Sequence, residues 1–151
     1  MKLAELLNER KAVKEYIKNI KDRLYLSAKA QEGDAAPGES PEELKTTLIN
    51  LFEKLEGLII KINHANVKTE VEGEKLMELI AERDMNIAIA DMLHQLANNA
   101  TPKSERFSRN EIRYVPMVNI KEIRREADSY SRTARTIDSK IQTVNWNTEV
   151  V

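Results

Sequence analysis

Two arginines occupy positions in helical sequence patterns where no acidic residue of the same helix is near enough to pair with them. Arg83 lies in an apolar run over 76–97, and the residues three and four positions away are leucine, isoleucine and asparagine. Arg10 has leucine, valine and one lysine at these distances. Because a buried, unpaired charge costs several kcal/mol, each guanidinium must reach a carboxylate on another helix or extend into solvent.

Asp84 follows Arg83 and has no basic residue three or four positions away. We therefore predict a polar network in the core. Its predicted members are Arg10, Arg83, Asp84 and an acid from the last helix, Asp138 first and Asp128 next. The alternative for Asp138 is a pair with Arg135, three residues earlier on its own helix. Such a network either fixes the register of packed helices or forms a ligand site.

One pair of residues has a spacing that suits a metal ion. Asp91 and His94 are one helical turn apart, but bundle di-metal sites need an acid together with Glu-x-x-His on each of two helices. The chain has two histidines, and the other is His64. We therefore predict no metal and no cofactor, and treat His94 as a partly exposed helix residue; Asp91 and His94 are the candidate ligands if a metal does bind.

The sequence lacks the usual parts of nucleophilic and phosphoryl-transfer sites. It contains no cysteine, no Gly-x-Ser-x-Gly, no His-Glu-x-x-His and no glycine-rich phosphate loop. Catalysis of these kinds is not expected.

Four lysines form a stripe beside the apolar positions of the first helical segment. They are Lys11, Lys14, Lys18 and Lys21. Residues 1–30 hold eight Lys and Arg against four acids, whereas residues 31–56 hold seven acids against two lysines. The stripe is either a nucleic-acid contact or a solvated flank paired with those acids. Because no aromatic residues are interleaved with the lysines, we do not expect nucleic acid to be a partner.

The composition is typical of long helices. The 151 residues are 32% charged and 5% aromatic, with four glycines and four prolines. The net charge of −1 gives no general attraction to nucleic acid or anionic membrane. Without cysteine, a signal peptide or a membrane-spanning run, the chain is expected to be cytoplasmic and not to have a membrane partner.

Four amphipathic helices are predicted along the chain. The first follows apolar residues from Leu3 at steps of three and four. Residues 28–40 are predicted to form a flexible linker. The second helix is predicted to begin at Ser40-Pro41, where Glu43 is placed to complete a capping box. The third covers 76–97, where apolar residues occur all round the helical wheel and predict packing on several sides. Asn119 caps the fourth.

These helices predict an all-α fold in one domain, 1–151. The arrangement is an antiparallel four-helix bundle or a pair of long, coiled-coil-like helical hairpins, with a short two-stranded β element formed by about 67–71 with 112–115. Three of the four apolar patterns follow a heptad spacing. Helices of this kind often complete their burial by self-association, so a homo-oligomer is expected.

Four short motifs resemble the small bacterial family labelled septicolysin-like. They lie at 1–10, 81–84, 106–112 and 137–146, in that order along almost the whole chain. The resemblance implies a protein from a largely uncharacterised family whose name evokes a haemolysin. The sequence shows no amphipathic β-hairpins that could insert into lipid, so haemolysis is not expected.

The sequence favours a non-enzymatic helical module that self-associates and acts as an interaction or scaffolding protein. The alternative is an enzyme, dependent on a small ligand or a metal, that uses the arginine and aspartate network in the core.

Overall fold

The computed structural model describes residues 1–34, 38–103 and 112–151. Within these residues the chain forms two compact units, one from 1–69 with 144–151 and the other from 70–143. The helices and strands are α1 (Leu3–Ser27), α2 (Pro41–Lys68), β1 (Glu70–Val71), β2 (Glu74–Lys75), α3 (Leu76–Ala100) and α4 (Ile120–Asn147). The predicted all-α fold class with a short β element is confirmed.

The first unit contains α1 and α2, packed as an antiparallel pair. Residues 28–34 and 38–40 of the connection are not helical. Ser40 caps α2 as predicted, since its hydroxyl accepts a hydrogen bond from the Glu43 backbone N–H at 3.3 Å. The helices bury apolar residues at heptad spacing: Leu6, Val13, Ile17 and Ile20 from α1, and Leu44, Leu48, Leu58 and Ile62 from α2. Lys54 and Glu9 add a salt bridge of 2.7 Å across the pair.

The end of the chain returns to the beginning of α1 in the same unit. The Leu3 N–H donates to the Thr148 carbonyl at 2.9 Å, and the Val150 N–H donates to the Met1 carbonyl at 2.9 Å. The carboxylate of Glu149 accepts from the Lys2 ammonium at 2.7 Å. These bonds satisfy backbone groups that a free helix end would leave open.

The second unit contains a small β-hairpin and an antiparallel pair of α3 with α4. Arg83, early in α3, bonds to Asp138, late in α4. Arg124, early in α4, lies 3.5 Å from the Thr101 hydroxyl at the end of α3. Two such contacts at opposite ends require the helices to run in opposite directions. Asn119 caps α4 as predicted.

The strand pairing differs from the prediction. Glu70 pairs with Lys75 and Val71 with Glu74 in a tight hairpin, whereas residues 112–115 form no strand. Residues 67 and 68 belong to α2, so the strand begins only at Glu70. Local turn geometry explains the pairing: Glu72 and Gly73 both have positive φ, 52° and 87°, as a two-residue hairpin turn requires.

The third helix is buried on one side only. Its buried residues are Leu76, Leu79, Ala90, Leu93 and Ala97, which follow one another on a single face. On the opposite side Met77, Met85 and Met92 are 48%, 59% and 53% exposed. Although apolar residues occur on all sides of α3, the helix is therefore not packed on all sides within the described chain.

Candidate functional site

Arg83 occupies a core-facing position of α3. It lies four residues after Leu79, on the face that Leu79 and Ala90 bury, and its side chain is 23% exposed. An apolar residue is the usual occupant of such a position, because the helix buries this stripe against its neighbour. A guanidinium here must therefore find acceptors at the edge of the helix pair.

Two aspartates supply these acceptors. The Nη1 of Arg83 donates to Asp138 Oδ1 at 2.8 Å, and its Nε donates to Asp84 Oδ1 at 3.0 Å. Gln142 also points its Nε2 at Asp138 Oδ1, at 3.5 Å. The structure thus brings Arg83, Asp84 and Asp138 together in one cluster. The local pair of Asp138 with Arg135 is not among the salt bridges of the described residues.

The electrostatics of the cluster keep the arginine charged. Burial would lower the pKa of Arg83, but hydrogen bonds to Asp138 and Asp84 outweigh it, so the pKa is raised above its ordinary value. An arginine of this kind does not exchange protons in the physiological range. The cluster can hold its charged side chains in a fixed orientation, but Arg83 cannot act as a general acid or base.

A shallow groove lies beside this cluster, between α3 and α4. Its volume is about 290 Å³, at the lower end of the range for small-molecule sites. The lining residues are Ile87, Ala90, Asp91, Ser131, Ala134, Arg135 and Asp138. Sequence reasoning named Arg135 only as a partner of Asp138 and missed Ser131, although both stand at helical spacing from Asp138 on the face of α4 that meets α3. This spacing is the signal that could have found them.

A larger cavity, of about 710 Å³, lies between the end of α3 and residues 113–118. Its apolar lining residues include Leu96, Pro102, Val115 and Pro116. Leu96 is thirteen residues from Arg83, or about 20 Å along the helix. The cavity is therefore separate from the arginine cluster.

Two predicted members of the network are outside this cluster. Arg10 belongs to the first unit, is half-buried, and forms no side-chain hydrogen bond or salt bridge with the described residues of that unit. Asp128 is exposed and makes no salt bridge among residues 1–34, 38–103 and 112–151. Within the described residues, the hydrogen-bond partners of Arg83 are Asp138 and Asp84.

The candidate metal ligands do not form a larger set. Asp91 is exposed and His94 half-buried, and no group of three or more His, Cys, Asp or Glu suited to a metal occurs in the described part of the chain. The second histidine, His64, lies on α2. Two potential ligands one turn apart do not make a closed site.

The lysine stripe lies on the outer side of α1. Lys11, Lys14 and Lys18 are exposed and Lys21 is half-exposed. Within the described ranges these four lysines form no salt bridge, so pairing with the acids of residues 31–56 does not occur there.

Comparison with known proteins places the chain in a family. Residues 10–150 match the family of unknown function DUF6847. The chain belongs to this family. A crystal structure of a functionally unknown conserved protein from Corynebacterium diphtheriae is similar to it, at 36% sequence identity and a TM-score of 0.89, covering 100% of this chain and 99% of that one. No curated protein matches the chain. These matches do not test the septicolysin-like resemblance, which stays a prediction.

No helix in the parts of the chain that the structure describes combines the length and apolarity needed to cross a bilayer.

Proposed function

We propose that this DUF6847 protein is a non-enzymatic helical module of the cytoplasm that works through protein contacts, including contacts with copies of itself. The observation that carries the proposal is the amount of apolar side chain left in solvent on two helices. These residues are Ile49, Phe52, Ile59, Ile60 and Val67 on α2, and Met77, Met85, Ile87, Met92 and Leu96 on α3. Large apolar patches are rarely exposed on monomeric proteins, whereas interaction surfaces often expose them.

The charge and shape of the chain support this function. A net charge of −1 sets up little repulsion between copies. Each unit presents a long helix, and a helix face with apolar residues at steps of three and four is a ready surface for another helix. The proposal requires neither a cofactor nor a reactive side chain.

Sedimentation velocity of the full chain over a hundred-fold range of concentration tests the proposal. We expect the average mass to rise with concentration, and native mass spectrometry to show more than one subunit without a bound small molecule. A chain that remains monomeric throughout, and pulls down no protein partner from a bacterial lysate, would contradict the proposal.

The groove beside Asp138 supports a second candidate function, binding of a small ligand in an enzyme. Its charged residues, Asp91, Arg135 and Asp138, could orient a polar ligand of a few non-hydrogen atoms. Native mass spectrometry tests this candidate. The candidate predicts that a ligand or ion co-purifies with the protein and that Asp138→Asn weakens its binding. If the protein purifies free of ligand and metabolite mixtures do not shift its melting temperature, this candidate is wrong.

A further inference from the structure

The lysine stripe of α1 lies beside an apolar row on α2. The apolar row consists of Ile49, Phe52 and Ile59, which are 52%, 49% and 37% exposed. At about 100° per residue, the stripe and the row are each rotated by roughly 110° from the buried residues of their own helix, in the direction that the chain follows. Because α1 and α2 are antiparallel, this equal rotation points both to the same side of the pair. We call this side the basic face.

Two ion pairs occupy the opposite side of the same two helices. Lys54 bonds to Glu9 at 2.7 Å, and Arg23 pairs with Glu39. Glu9 and Lys54 are rotated from the buried residues in the opposite sense, by roughly 60°. The ion pairs between these helices therefore lie away from the basic face, whereas the lysine stripe forms no salt bridge with any described residue.

The bond between Glu9 and Lys54 also shows which residues lie at the same height along the two helices. Because α2 runs in the opposite direction, Lys11, two residues after Glu9, lies level with Phe52, two residues before Lys54. Leu7 is half-buried and occupies the position one turn before Lys11, in line with the stripe. The basic face thus runs for about four turns of α1, with apolar side chains at one end and lysines along one edge.

We infer that the basic face binds an acidic amphipathic helix of another protein. The inference rests on the proposed function and names the chemistry of one partner. The partner helix lies lengthwise on the face, with carboxylates over the lysine stripe and apolar side chains over the apolar row. Successive lysines are three, four and three residues apart. A helix with acids at the same spacing presents them along one edge, so several opposite charges pair along one contact.

Charge complementarity selects this partner over a second copy of the chain. A two-fold axis that brings two basic faces together places either α1 on α1 or α1 on α2. The first arrangement sets one lysine stripe against the other. The second sets Lys11 over Phe52 and Lys18 over Lys45, which pairs one lysine with an apolar ring and another with a lysine. Self-association of the chain therefore uses another surface.

The acids that border the basic face limit the width of the partner. Glu15 and Asp22 are exposed and lie roughly 70° further round α1 than the centre of the stripe. On the other edge, the exposed Glu56 lies about 50° further outward than Phe52 and Ile59. The phosphates of a bilayer or of a nucleic acid that covered the whole face would meet these carboxylates. A single helix, about 10 Å wide, reaches the stripe and the row between them.

The composition of the contact sets its expected strength. Exposed ion pairs each contribute little affinity, so most of it comes from covering the half-exposed apolar row. The charges chiefly accelerate association and make it sensitive to salt. We therefore expect a transient complex, with a Kd of about 10–100 μM at low salt that rises several-fold at about 0.2 M salt.

Fluorescence anisotropy of a labelled peptide with the full chain tests the inference. The probe is a designed helix of about 18 residues, or five turns, with leucines along one row and glutamates along the neighbouring row. The matched probe has glutamine in place of every glutamate. We expect the acidic peptide to bind at least five-fold more tightly than the glutamine peptide at low salt.

Substitutions in the chain test the surface. Lys14→Gln together with Lys18→Gln should weaken binding of the acidic peptide at least five-fold, and Phe52→Ser should weaken it as much. The matched control is Lys61→Gln together with Lys121→Gln, since both lysines are exposed and neither forms a salt bridge among the described residues. The control should leave the Kd within about two-fold.

Three outcomes would overturn the inference. They are no binding of the acidic peptide at millimolar chain concentration, equal weakening by the control pair of substitutions, and binding through Lys14 and Lys18 only to another polyanion. The polyanions to compare are vesicles of equal parts phosphatidylserine and phosphatidylcholine, and a single-stranded oligonucleotide. A chain that self-associates in sedimentation velocity but binds no acidic peptide leaves the proposed function standing. A chain that neither binds the peptide, self-associates nor captures a protein partner overturns both.

Discussion

Arg83 and Asp138 lie 55 positions apart and are joined by a hydrogen bond of 2.8 Å between Nη1 and Oδ1. The bond links the first half of α3 to the second half of α4 at the edge of their apolar contact. Because the apolar residues of both helices repeat every three and four positions, a slide of one turn would still bury a stripe. The ion pair distinguishes the observed register from such a slide.

Removing the arginine is expected to destabilise the second unit. Arg83→Met should lower the free energy of unfolding by about 1–2 kcal/mol, since charged hydrogen bonds contribute in this range and both aspartates are half-exposed to screening water. Asp138→Asn should cost less, because its amide oxygen still accepts a bond. Urea unfolding followed by circular dichroism measures both changes, and a double-mutant cycle should give a coupling of about 1 kcal/mol.

The control for this experiment is Arg135→Met. Arg135 is on α4, the helix of Asp138, is exposed, and has no salt bridge within the described chain, so the change should stay within about 0.5 kcal/mol. If Arg83→Met proves no more destabilising than Arg135→Met, and unfolds as cooperatively as the parent, the ion pair does not set the register.

Local chemistry explains which features could be predicted from the sequence. Ser40 and Asn119 cap their helices because a short polar side chain before a helical run can bind the backbone N–H three residues on, whatever the surroundings. No acid stands three or four positions from Arg83, which favoured a distant partner, and Asp138 supplies one. The adjacent Asp84 also bonds to Arg83, so the expectation that no acid of the same helix could pair with it was wrong. Patterns within one or two turns carry this information.

Features that depend on other parts of the chain could not be predicted in the same way. The sequence shows no acid three or four positions from Arg10, and the same is true of Arg83. Only the three-dimensional structure shows that Arg83 is paired with a distant acid and that Arg10 is half-exposed. The partner of β1 was decided by positive φ at Glu72, which glutamate rarely adopts. The apolar residues on both sides of α3 do not reveal which side the fold itself buries.

Ser40→Ala tests the helix cap that the sequence predicted. The substitution removes the acceptor of the Glu43 N–H and should lower the free energy of unfolding by about 1 kcal/mol. Ser40→Asp restores an acceptor and should recover most of the loss. Chemical denaturation of the three proteins provides the comparison, and equal stability of the alanine and parent chains would show that the cap contributes nothing.

Gly73→Ala tests the hairpin turn between β1 and β2. Gly73 has φ of 87°, a conformation that glycine adopts freely, and a Cβ there would meet no atom within 4 Å. The expected loss of about 1 kcal/mol in thermal or urea unfolding would therefore come from backbone strain and not from a clash. Gly38→Ala is the control, because its φ is outside the strained range and a Cβ would also enter open space. Equal effects of the two substitutions would contradict the strain argument.

Glu149 predicts a pH dependence of stability. Its hydrogen bond with Lys2 lowers the pKa of the carboxyl below 4.5. A carboxyl with a lowered folded pKa contributes stability that is present above its unfolded pKa and is lost as the pH falls through the folded value. Glu149→Gln should therefore melt at a lower temperature than the parent near neutral pH, and this difference should disappear as the pH falls well below 4.5.

Melting curves recorded at a series of pH values measure the difference. Glu126→Gln, at an exposed acid without a salt bridge in the described residues, should show a constant difference across the series. If the difference in melting temperature between the parent and Glu149→Gln is unchanged in acid, the contact with Lys2 does not hold the end of the chain against α1.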